Sequence, residues 1–256
     1  MTERIALVRY PSPRMADGLV THIERSPIDP RLAERQHASY VEALAANGWT
    51  IREVPFALNL PDSAFVEDTV VVVGDLAVLA NPGATERRPE IAGTEEVVRA
   101  LRLEVARIEP PGTLDGGDVL QVGTTVYVGR GGRTNDEGIS QLRDHLAPRG
   151  RTVVTVPLNT VLHLKSAVTA LPDGTIIGAD PGQLDTAPLP PIRAVPEPGG
   201  AHVVVLDDHT VLMAASAPET AALLESEGLD VVTVDIGEFE KMEGCVTCLS
   251  VLVPGD

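Results

Sequence analysis

The apolar residues of this chain are gathered into short runs that come in pairs, and turn-forming residues separate the members of each pair. Short apolar runs divided by glycine, proline or aspartate are typical of β-hairpins. Four hairpins are predicted, with strands over residues 70–73 and 76–80, 119–122 and 125–129, 166–171 and 175–177, and 203–206 and 211–214.

Helical spacing follows three of these hairpins. After the first, Thr94 is predicted to cap a helix, and after the second, Ile139 and Leu146 lie on one helical face. After the fourth, residues 216–219 predict a capping box. The third hairpin leads instead into a proline-rich loop over residues 181–198. The strands predicted next after these helices are 103–108, 152–156 and 231–234.

A fifth unit of this kind is predicted from the two ends of the chain. Its parts are strands over 246–253 and 5–9, a helix that begins at Asp29-Pro30, and a strand over 50–54. The strand–strand–helix–strand unit recurs about every 45–50 residues, a period that indicates a radial or stacked array. We therefore expect an α/β fold in which residues 1–256 form one domain and five units close into a ring without exposed sheet edges. A doubly wound α/β sheet is the alternative.

The composition narrows the classes of partner. The chain has 256 residues and a net charge of −17, which disfavours nucleic acid and anionic membranes as partners and favours a cationic ligand. The N-terminus is too charged for a signal peptide, and there are two cysteines, Cys245 and Cys248. A reducing cytoplasm fits this cysteine content best.

Candidate catalytic residues lie at or just before the first strand of different units. Cys248 is a candidate nucleophile, although an inert buried thiol is the commoner fate of a cysteine. His163 stands in an apolar setting that suits either a core histidine or a general acid and base. Asp115 and Asp118 bracket two glycines, as in an ordinary turn. In a ring, these strand starts converge on one axis and supply what covalent catalysis needs.

Two further features concern the ligand. Glu67 and Asp68 head a buried strand, which is costly unless a cation or hydrogen-bond donors meet them, so they indicate a cationic substrate. The Cys245-x-x-Cys248 spacing also invites a redox or zinc interpretation. Redox pairs of this spacing usually open a helix, whereas a strand is predicted here, and zinc requires a second pair of ligands.

Six segments together resemble the dimethylarginine dimethylaminohydrolase family of guanidine-modifying enzymes. In family order they are 61–68, 82–84 with Arg87-Arg88, 112–118, 132–135, 162–165 and 244–250. The resemblance implies a five-bladed α/β propeller, or pentein, of pseudo-fivefold ββαβ units, in which both termini complete one blade of a single catalytic domain. It also implies hydrolysis of Nω-methylated arginines to citrulline and methylamines, without a metal or organic cofactor.

The resemblance assigns a role to each matching residue. Cys248 corresponds to the nucleophile, His163 to the general acid and base, and Asp115 to the acid that orients the histidine. The implied substrate ligands are Asp68 and Glu67 for the guanidinium, Arg87 and Arg133 for the α-carboxylate, Asp62 for the α-amino group, and Leu19 in a mobile lid. Cys245 has no family role, and Asn81 stands where the family pattern has arginine.

Other activities fit the same residues. Arginine deiminase or another guanidine hydrolase would use the same thiol on a different substrate, and an amidinotransferase would replace water by an amine. Outside this class, the chain could be a non-catalytic binder of arginine-like ligands, or a redox or metal sensor that uses Cys245 and Cys248. The sequence is silent on oligomeric state, and family habit is compatible with a homodimer.

Overall fold

The computed structural model describes residues 3–255, whose strands form five separate three-stranded sheets. The strands are β1 (Ile5–Val8), β2 (Thr50–Glu53), β3 (Val70–Val73), β4 (Leu76–Leu79), β5 (Glu104–Arg107), β6 (Val119–Val122), β7 (Thr125–Arg130), β8 (Thr152–Pro157), β9 (Val168–Ala170), β10 (Ile176–Gly178), β11 (Arg193–Ala194), β12 (Val203–Val205), β13 (Thr210–Ala214), β14 (Asp230–Val234) and β15 (Val251–Val253). The α-helices are α1 (Pro30–Ala46), α2 (Ile91–Ala100), α3 (Asp136–Leu146), α4 (Pro218–Ser226) and the short α5 (Gly237–Glu240).

All five sheets share one topology. The first two strands of each unit are antiparallel, and the third is parallel to the second, as in the orders β3-β4-β5, β6-β7-β8, β9-β10-β11 and β12-β13-β14. The fifth sheet joins the two ends of the chain, because β15 pairs with β1, with Ile5 opposite Val253, and β1 pairs with β2. This confirms the predicted ring of ββαβ units and excludes the doubly wound sheet.

Two of the predicted helix starts are wrong, and one is correct. Thr94 does not cap α2, which begins three residues earlier; its buried hydroxyl bonds to that of Thr69 at 2.9 Å. Nor do residues 216–219 form a capping box. The first amides of α4 donate instead to the carboxylate of Glu197, which lies in the loop between β11 and β12. The predicted cap at Asp29 is correct, since its carboxylate accepts from the amides of Arg31 and Leu32.

A single turn of 3-10 helix precedes the first strand of every unit. These turns span Val66–Thr69, Gly116–Asp118, Leu164–Ser166, Pro198–Ala201 and Val246–Leu249. The predicted strand over 246–253 is therefore wrong in its first half: a turn comes first, and the strand begins at Val251. The reason lies in tertiary structure, because the first strands are short and the chain must enter each from the centre of the ring.

The first strands of the five units surround a central cavity of about 330 Å³. Residues of β3, β6, β9, β12 and β15 line it, and most of them are valine, leucine or alanine. Because all five first strands start close to the ring axis, the turns before them meet at one end of this cavity. The candidate catalytic residues lie in or beside four of these turns.

Candidate active site

The turns bring the candidate residues to one pocket. In each of the five turns the residue just before the turn accepts, at its carbonyl, a hydrogen bond from the amide three residues later, and these pairs are Phe65–Asp68, Asp115–Asp118, His163–Ser166, Glu197–Gly200 and Cys245–Cys248. Asp68, His163 and Cys248 line the same small pocket, together with the predicted ligands Asp62, Arg87, Arg133 and Leu19. Repetition of one turn geometry thus converts strand starts that are far apart in sequence into one site.

His163 is held by Asp115. The Nε2 atom of His163 lies 3.0 Å from Oδ2 of the fully buried Asp115. The other carboxylate oxygen, Oδ1, accepts from the amide of Gly83 at 2.9 Å. The other ring nitrogen, Nδ1, lies 3.9 Å from Oδ1 of Asp68. Gly117 permits this packing, since a Cβ there would lie 2.7 Å from both Asp68 Oδ1 and His163 Nδ1.

Acidic neighbours determine the charge of His163. Burial opposes the charged form, but the negative charges of Asp68 and Asp118 and the hydrogen bond to Asp115 raise the pKa of His163 to about 9. The imidazole is therefore protonated at neutral pH. Burial alone would raise the pKa of Asp68, yet His163 and Arg87 outweigh it and lower that pKa below its ordinary value.

Asp68 is fixed by a buried ion-pair network. Nη1 of Arg87 lies 2.5 Å from Oδ2 of Asp68, and the amide of Gly117 donates to Oδ1 at 2.9 Å. Arg87 also donates to Glu90 from Nε at 3.2 Å and from Nη2 at 2.9 Å, and from Nη2 to the carbonyl of Phe65 at 3.0 Å. These contacts leave one Nη1 hydrogen of the guanidinium for an incoming carboxylate, so a paired clamp needs a second residue.

Arg133 can supply that second contact, since its guanidinium reaches the same pocket and is only 3.5 Å from Asp115. On the opposite wall, the amide of Leu19 donates to Asp62 at 3.0 Å. Burial raises the pKa of Asp62, against the lowering effect of Arg87. The Asp62 carboxylate therefore has few hydrogen-bond donors around it and can accept from a cationic amino group.

Glu67 lies on the other side of the turn from the remaining ligands. Its Oε1 is 2.5 Å from Nζ of Lys165, and both side chains line the central cavity rather than the pocket around Cys248. Burial raises the pKa of Glu67 to about 7. The structure therefore separates Glu67 from Asp68, and the guanidinium contact that the resemblance implies for Glu67 stays a prediction.

The candidate nucleophile lies beside the second thiol. Sγ of Cys248 is 3.3 Å from Sγ of Cys245, and both side chains are buried. The hydrogen bond to Cys245, burial, and the negative charges of Glu67 and Asp68 raise the pKa of Cys248 well above its ordinary value. A cationic ligand placed against Asp68 would oppose these effects and favour the thiolate.

Leu19 lines the pocket around Cys248 and belongs to a loop over residues 17–25, here called the lid loop. The carboxylate of Glu243 accepts hydrogen bonds from the amides of Thr21 (3.0 Å), His22 and Ile23 (2.9 Å). The enclosed volume is about 20 Å³, room for roughly one water molecule. An amino acid as large as arginine can enter only after this loop moves.

Asp68, Asp115 and His163 also offer ligand atoms within 4.8 Å of one another, close enough to hold a metal ion. The positive charges of Arg87 and of protonated His163 repel a metal ion from this position. A cation would have to displace the proton of His163 before it could bind.

Sequence reasoning missed Glu90, Glu243 and Tyr40. Glu90 stands three residues after Arg87, a spacing that could have suggested an ion pair. The contacts of Glu243 and Tyr40 cross more than 200 residues, so no local signal reveals them. Among residues 3–255, no helix is both long and apolar enough to cross a membrane.

Comparison with known proteins gives close relatives. The chain is 58% identical over 251 residues to a curated N(G),N(G)-dimethylarginine dimethylaminohydrolase of Streptomyces coelicolor, an alignment that covers 98% of this chain and 97% of the relative. No protein-family model matches the chain.

Solved structures agree with this. A cysteine-to-serine variant of the Pseudomonas aeruginosa dimethylarginine dimethylaminohydrolase, complexed with citrulline, has a TM-score of 0.90 and 32% identity over 98% of this chain and 99% of its own. A histidine-to-glycine variant of a dimethylarginine dimethylaminohydrolase, as an adduct with S-methyl-L-thiocitrulline, has the same TM-score at 31% identity over 98% of this chain and 100% of its own.

Proposed function

The chain belongs to the dimethylarginine dimethylaminohydrolase family, and we propose that the pocket around Cys248 hydrolyses Nω-methylated arginines to citrulline and methylamines. The observation that carries the proposal is the meeting of a thiol, an imidazole paired with a carboxylate, and a second carboxylate at one enclosed pocket. Such a set can perform covalent catalysis on a cationic carbon without further groups.

Substrate binding follows from the charges of the walls. Asp68 accepts hydrogen bonds from the guanidinium, and Arg87 holds Asp68 in position through a contact of 2.5 Å. Arg133 and the remaining Arg87 hydrogen bind the α-carboxylate, and Asp62 accepts from the α-amino group. Leu19 covers the bound amino acid from the lid loop. The resemblance also assigns a guanidinium contact to Glu67, whose side chain faces the central cavity.

In the first half of the reaction, a carbon–sulfur bond forms between Cys248 and the substrate. The guanidinium brings a positive charge next to Cys248, which lowers the thiol pKa, so the thiol loses its proton to solvent and the thiolate attacks the central guanidinium carbon. His163, which is protonated at neutral pH, gives its proton to the departing methylamine or dimethylamine as the carbon–nitrogen bond breaks. A covalent thiouronium adduct of Cys248 remains.

The second half consumes water. His163 is now neutral and removes a proton from a water molecule, whose oxygen attacks the thiouronium carbon. The carbon–sulfur bond breaks, citrulline leaves, and Cys248 and His163 return to their starting protonation states. Asp115 keeps the imidazole oriented through both halves, by its 3.0 Å contact with Nε2.

Citrulline release tests the proposal. Purified protein should form citrulline from monomethylarginine and asymmetric dimethylarginine much faster than from arginine. Equal or faster turnover of arginine would favour a deiminase, and transfer to an added amine would favour an amidinotransferase. Binding of methylarginine without any citrulline would contradict hydrolysis and support the non-catalytic binder. The homodimer and the cytoplasmic location stay predictions, which sedimentation and fractionation can test.

A further inference from the structure

Cys245 is a second buried thiol beside the nucleophile, and the hydrolysis described above gives it no role. Its Sγ atom lies 3.3 Å from Sγ of Cys248 and 3.2 Å from the hydroxyl of Thr247. We propose that Cys245 and Cys248 are joined in a reversible disulfide when a hydroperoxide reaches the pocket, and that this disulfide withdraws Cys248 from catalysis.

The backbone already has the shape that such a disulfide requires. The amide of Cys248 donates to the carbonyl of Cys245 at 3.1 Å, so the two residues are the first and fourth of one turn. The Cα atoms at these positions are less than about 7 Å apart, and disulfides join Cα atoms about 4.4–6.8 Å apart. The sulfurs have to approach from 3.3 Å to about 2 Å, which rotation about the side-chain bonds can provide.

The turn also removes the sequence argument against a redox pair. A strand predicted directly at Val246 disfavoured that interpretation, because redox pairs of this spacing usually open a helix. The structure instead places Cys245 immediately before the turn Val246–Leu249, with Cys248 inside it. The corresponding positions in two other units hold Asp115 with Asp118, and His163 with Ser166. Only the unit that carries the nucleophile has sulfur at both positions.

The contact between the two sulfurs makes the first ionisation of the pair easier than that of an isolated thiol. When two thiols share a hydrogen bond, the first proton leaves easily because the remaining S–H stabilises the thiolate, and the second leaves with difficulty. Accordingly, the hydrogen bond lowers the pKa of Cys245 and raises that of Cys248. Peroxides oxidise the thiolate form, and because either sulfur can be the donor in this contact, either can carry the negative charge. Cys248 lines the pocket, so it is the sulfur that a small oxidant meets first.

The oxidation balances in two steps. The thiolate attacks the terminal oxygen of the hydroperoxide, the oxygen–oxygen bond breaks, and an alcohol (or water, from hydrogen peroxide) leaves while a sulfenic acid forms. The neighbouring sulfur then attacks the sulfenic sulfur, the sulfur–oxygen bond breaks, and water leaves with the thiol proton. Two thiols have supplied two electrons to the peroxide. A dithiol reductant reverses the result by thiol–disulfide exchange.

The disulfide would have two consequences. Cys248 in a disulfide cannot attack a guanidinium, so hydrolysis stops. It also cannot proceed to sulfinic or sulfonic acid, which are irreversible products. The pair therefore acts as a reversible off-state that protects the nucleophile during oxidative exposure.

The test treats the purified full-length protein with hydrogen peroxide and follows both mass and activity. We expect the intact mass to fall by that of two hydrogen atoms, peptide mapping to join Cys245 to Cys248 within one chain, and citrulline formation to be lost. Dithiothreitol should restore nearly all of the activity. Loss of activity with sulfinic acid at Cys248 and no disulfide, or a disulfide between chains, would overturn the proposal.

Cys245→Ser is the matched variant, since its hydroxyl can keep the hydrogen bonds to Thr247 and Cys248. It should hydrolyse substrate before treatment, but peroxide should oxidise Cys248 irreversibly, with a mass gain of oxygen atoms and no recovery in dithiothreitol. Recovery equal to that of the wild type would contradict the proposal. Cys245→Ala serves if the serine variant does not fold.

The loss of catalysis rests on the proposed function, but the mass and the peptide map do not. If the untreated protein forms no citrulline while the disulfide appears, the proposed function fails and the thiol chemistry stands. If citrulline forms and no disulfide appears, the proposed function stands and the disulfide proposal fails.

Discussion

At the scale of single residues, the charge of His163 decides how the pocket responds to pH. Its pKa of about 9 means that the proton needed by the leaving amine is present at neutral pH. We expect kcat/KM to fall as the pH rises through about 9, because the imidazolium is lost. A rate limited only by thiolate formation at Cys248 would rise over the same range, so the sign of the change in a pH–rate profile separates the two.

Asp115→Asn gives the matched variant for this profile. Removing the Asp115 charge lowers the pKa of His163, so the alkaline limb should move to lower pH. The same ionisation bears on folding. Because the folded-state pKa lies above the ordinary 6.5, the charge of His163 stabilises the fold below that pH, and this stabilisation is lost as the pH rises through about 9. An unmoved limb in the asparagine variant would remove His163 as the titrating acid.

Replacement of the sulfur is the second residue-scale prediction. Cys248→Ser should keep substrate binding but lose turnover by on the order of a thousandfold or more, since the alkoxide is far harder to form. Stopped assays for citrulline and calorimetry with methylarginine measure the two effects. Turnover close to that of the wild type would exclude Cys248 as the nucleophile.

The histidine variant separates the two halves of the reaction. His163→Gly removes the group that activates water, so a substrate-sized adduct on Cys248 should accumulate with a substrate whose leaving group needs no proton. Intact-protein mass spectrometry under turnover detects it. A chain that turns over without any adduct would contradict the two-step scheme.

At the scale of elements, the lid loop depends on one side chain. Glu243 has a backbone φ of 62°, which is uncommon for a residue with a side chain, and its carboxylate accepts the consecutive amides of residues 21–23. Hydrogen bonds to a charged acceptor contribute about 1.5–3 kcal/mol each. We interpret Glu243 as the residue that holds the lid loop closed.

Glu243→Gln should loosen the lid loop, because the side-chain amide of glutamine would place N–H donors against the backbone N–H groups of the loop. We expect faster hydrogen exchange at Thr21–Ile23, faster tryptic cleavage after Arg25, and a rise in KM for methylarginine of about tenfold, equivalent to roughly 1.4 kcal/mol. Glu240→Gln is the control, since Glu240 bonds to Ser216 and not to the lid loop. Unchanged exchange in Glu243→Gln would show that other contacts close the lid.

Elements differ in how far the sequence predicts them. The hairpins were predictable because apolar pairs around Gly74 or Gly123 carry both the strand pattern and the left-handed turn residue. The turn before β15 was not, since residues 246–249 are as apolar as the strand itself and are turned only by packing at the ring centre. Likewise Glu197 caps α4 from an irregular loop about twenty residues away, which no capping pattern describes.

At the scale of the whole molecule, the five-unit repeat could be predicted from the sequence, but the positions of some site residues could not. Periodic hairpins predict the ring, and residues at strand starts predict the convergence of His163 and Cys248. Glu67 and Asp68, adjacent in sequence and expected to act together, instead face two different cavities. The tight turn through them decides this, because it directs successive side chains to different sides of the backbone.

Ring closure also supports the nucleophile directly. Tyr40 lies on α1 and is fully buried, and its hydroxyl donates to the carbonyl of Val246 at 2.9 Å and lies 2.8 Å from the hydroxyl of Ser250. These two contacts flank Cys248 on both sides. Helix α1, which follows β1 near the N-terminus, therefore supports the turn around Cys248 near the C-terminus.

Tyr40→Phe tests this connection. The ring fits the same space, but the carbonyl of Val246 and the hydroxyl of Ser250 lose a buried partner, which costs about 1–3 kcal/mol of unfolding free energy. The melting temperature should fall by about 2–4 °C for each kcal/mol. Because the turn around Cys248 is freed, kcat should fall more than KM rises. Tyr10→Phe is the matched control, as Tyr10 is 45% exposed. A Tyr40→Phe variant that loses stability but keeps the wild-type kcat would mean that packing alone positions the nucleophile.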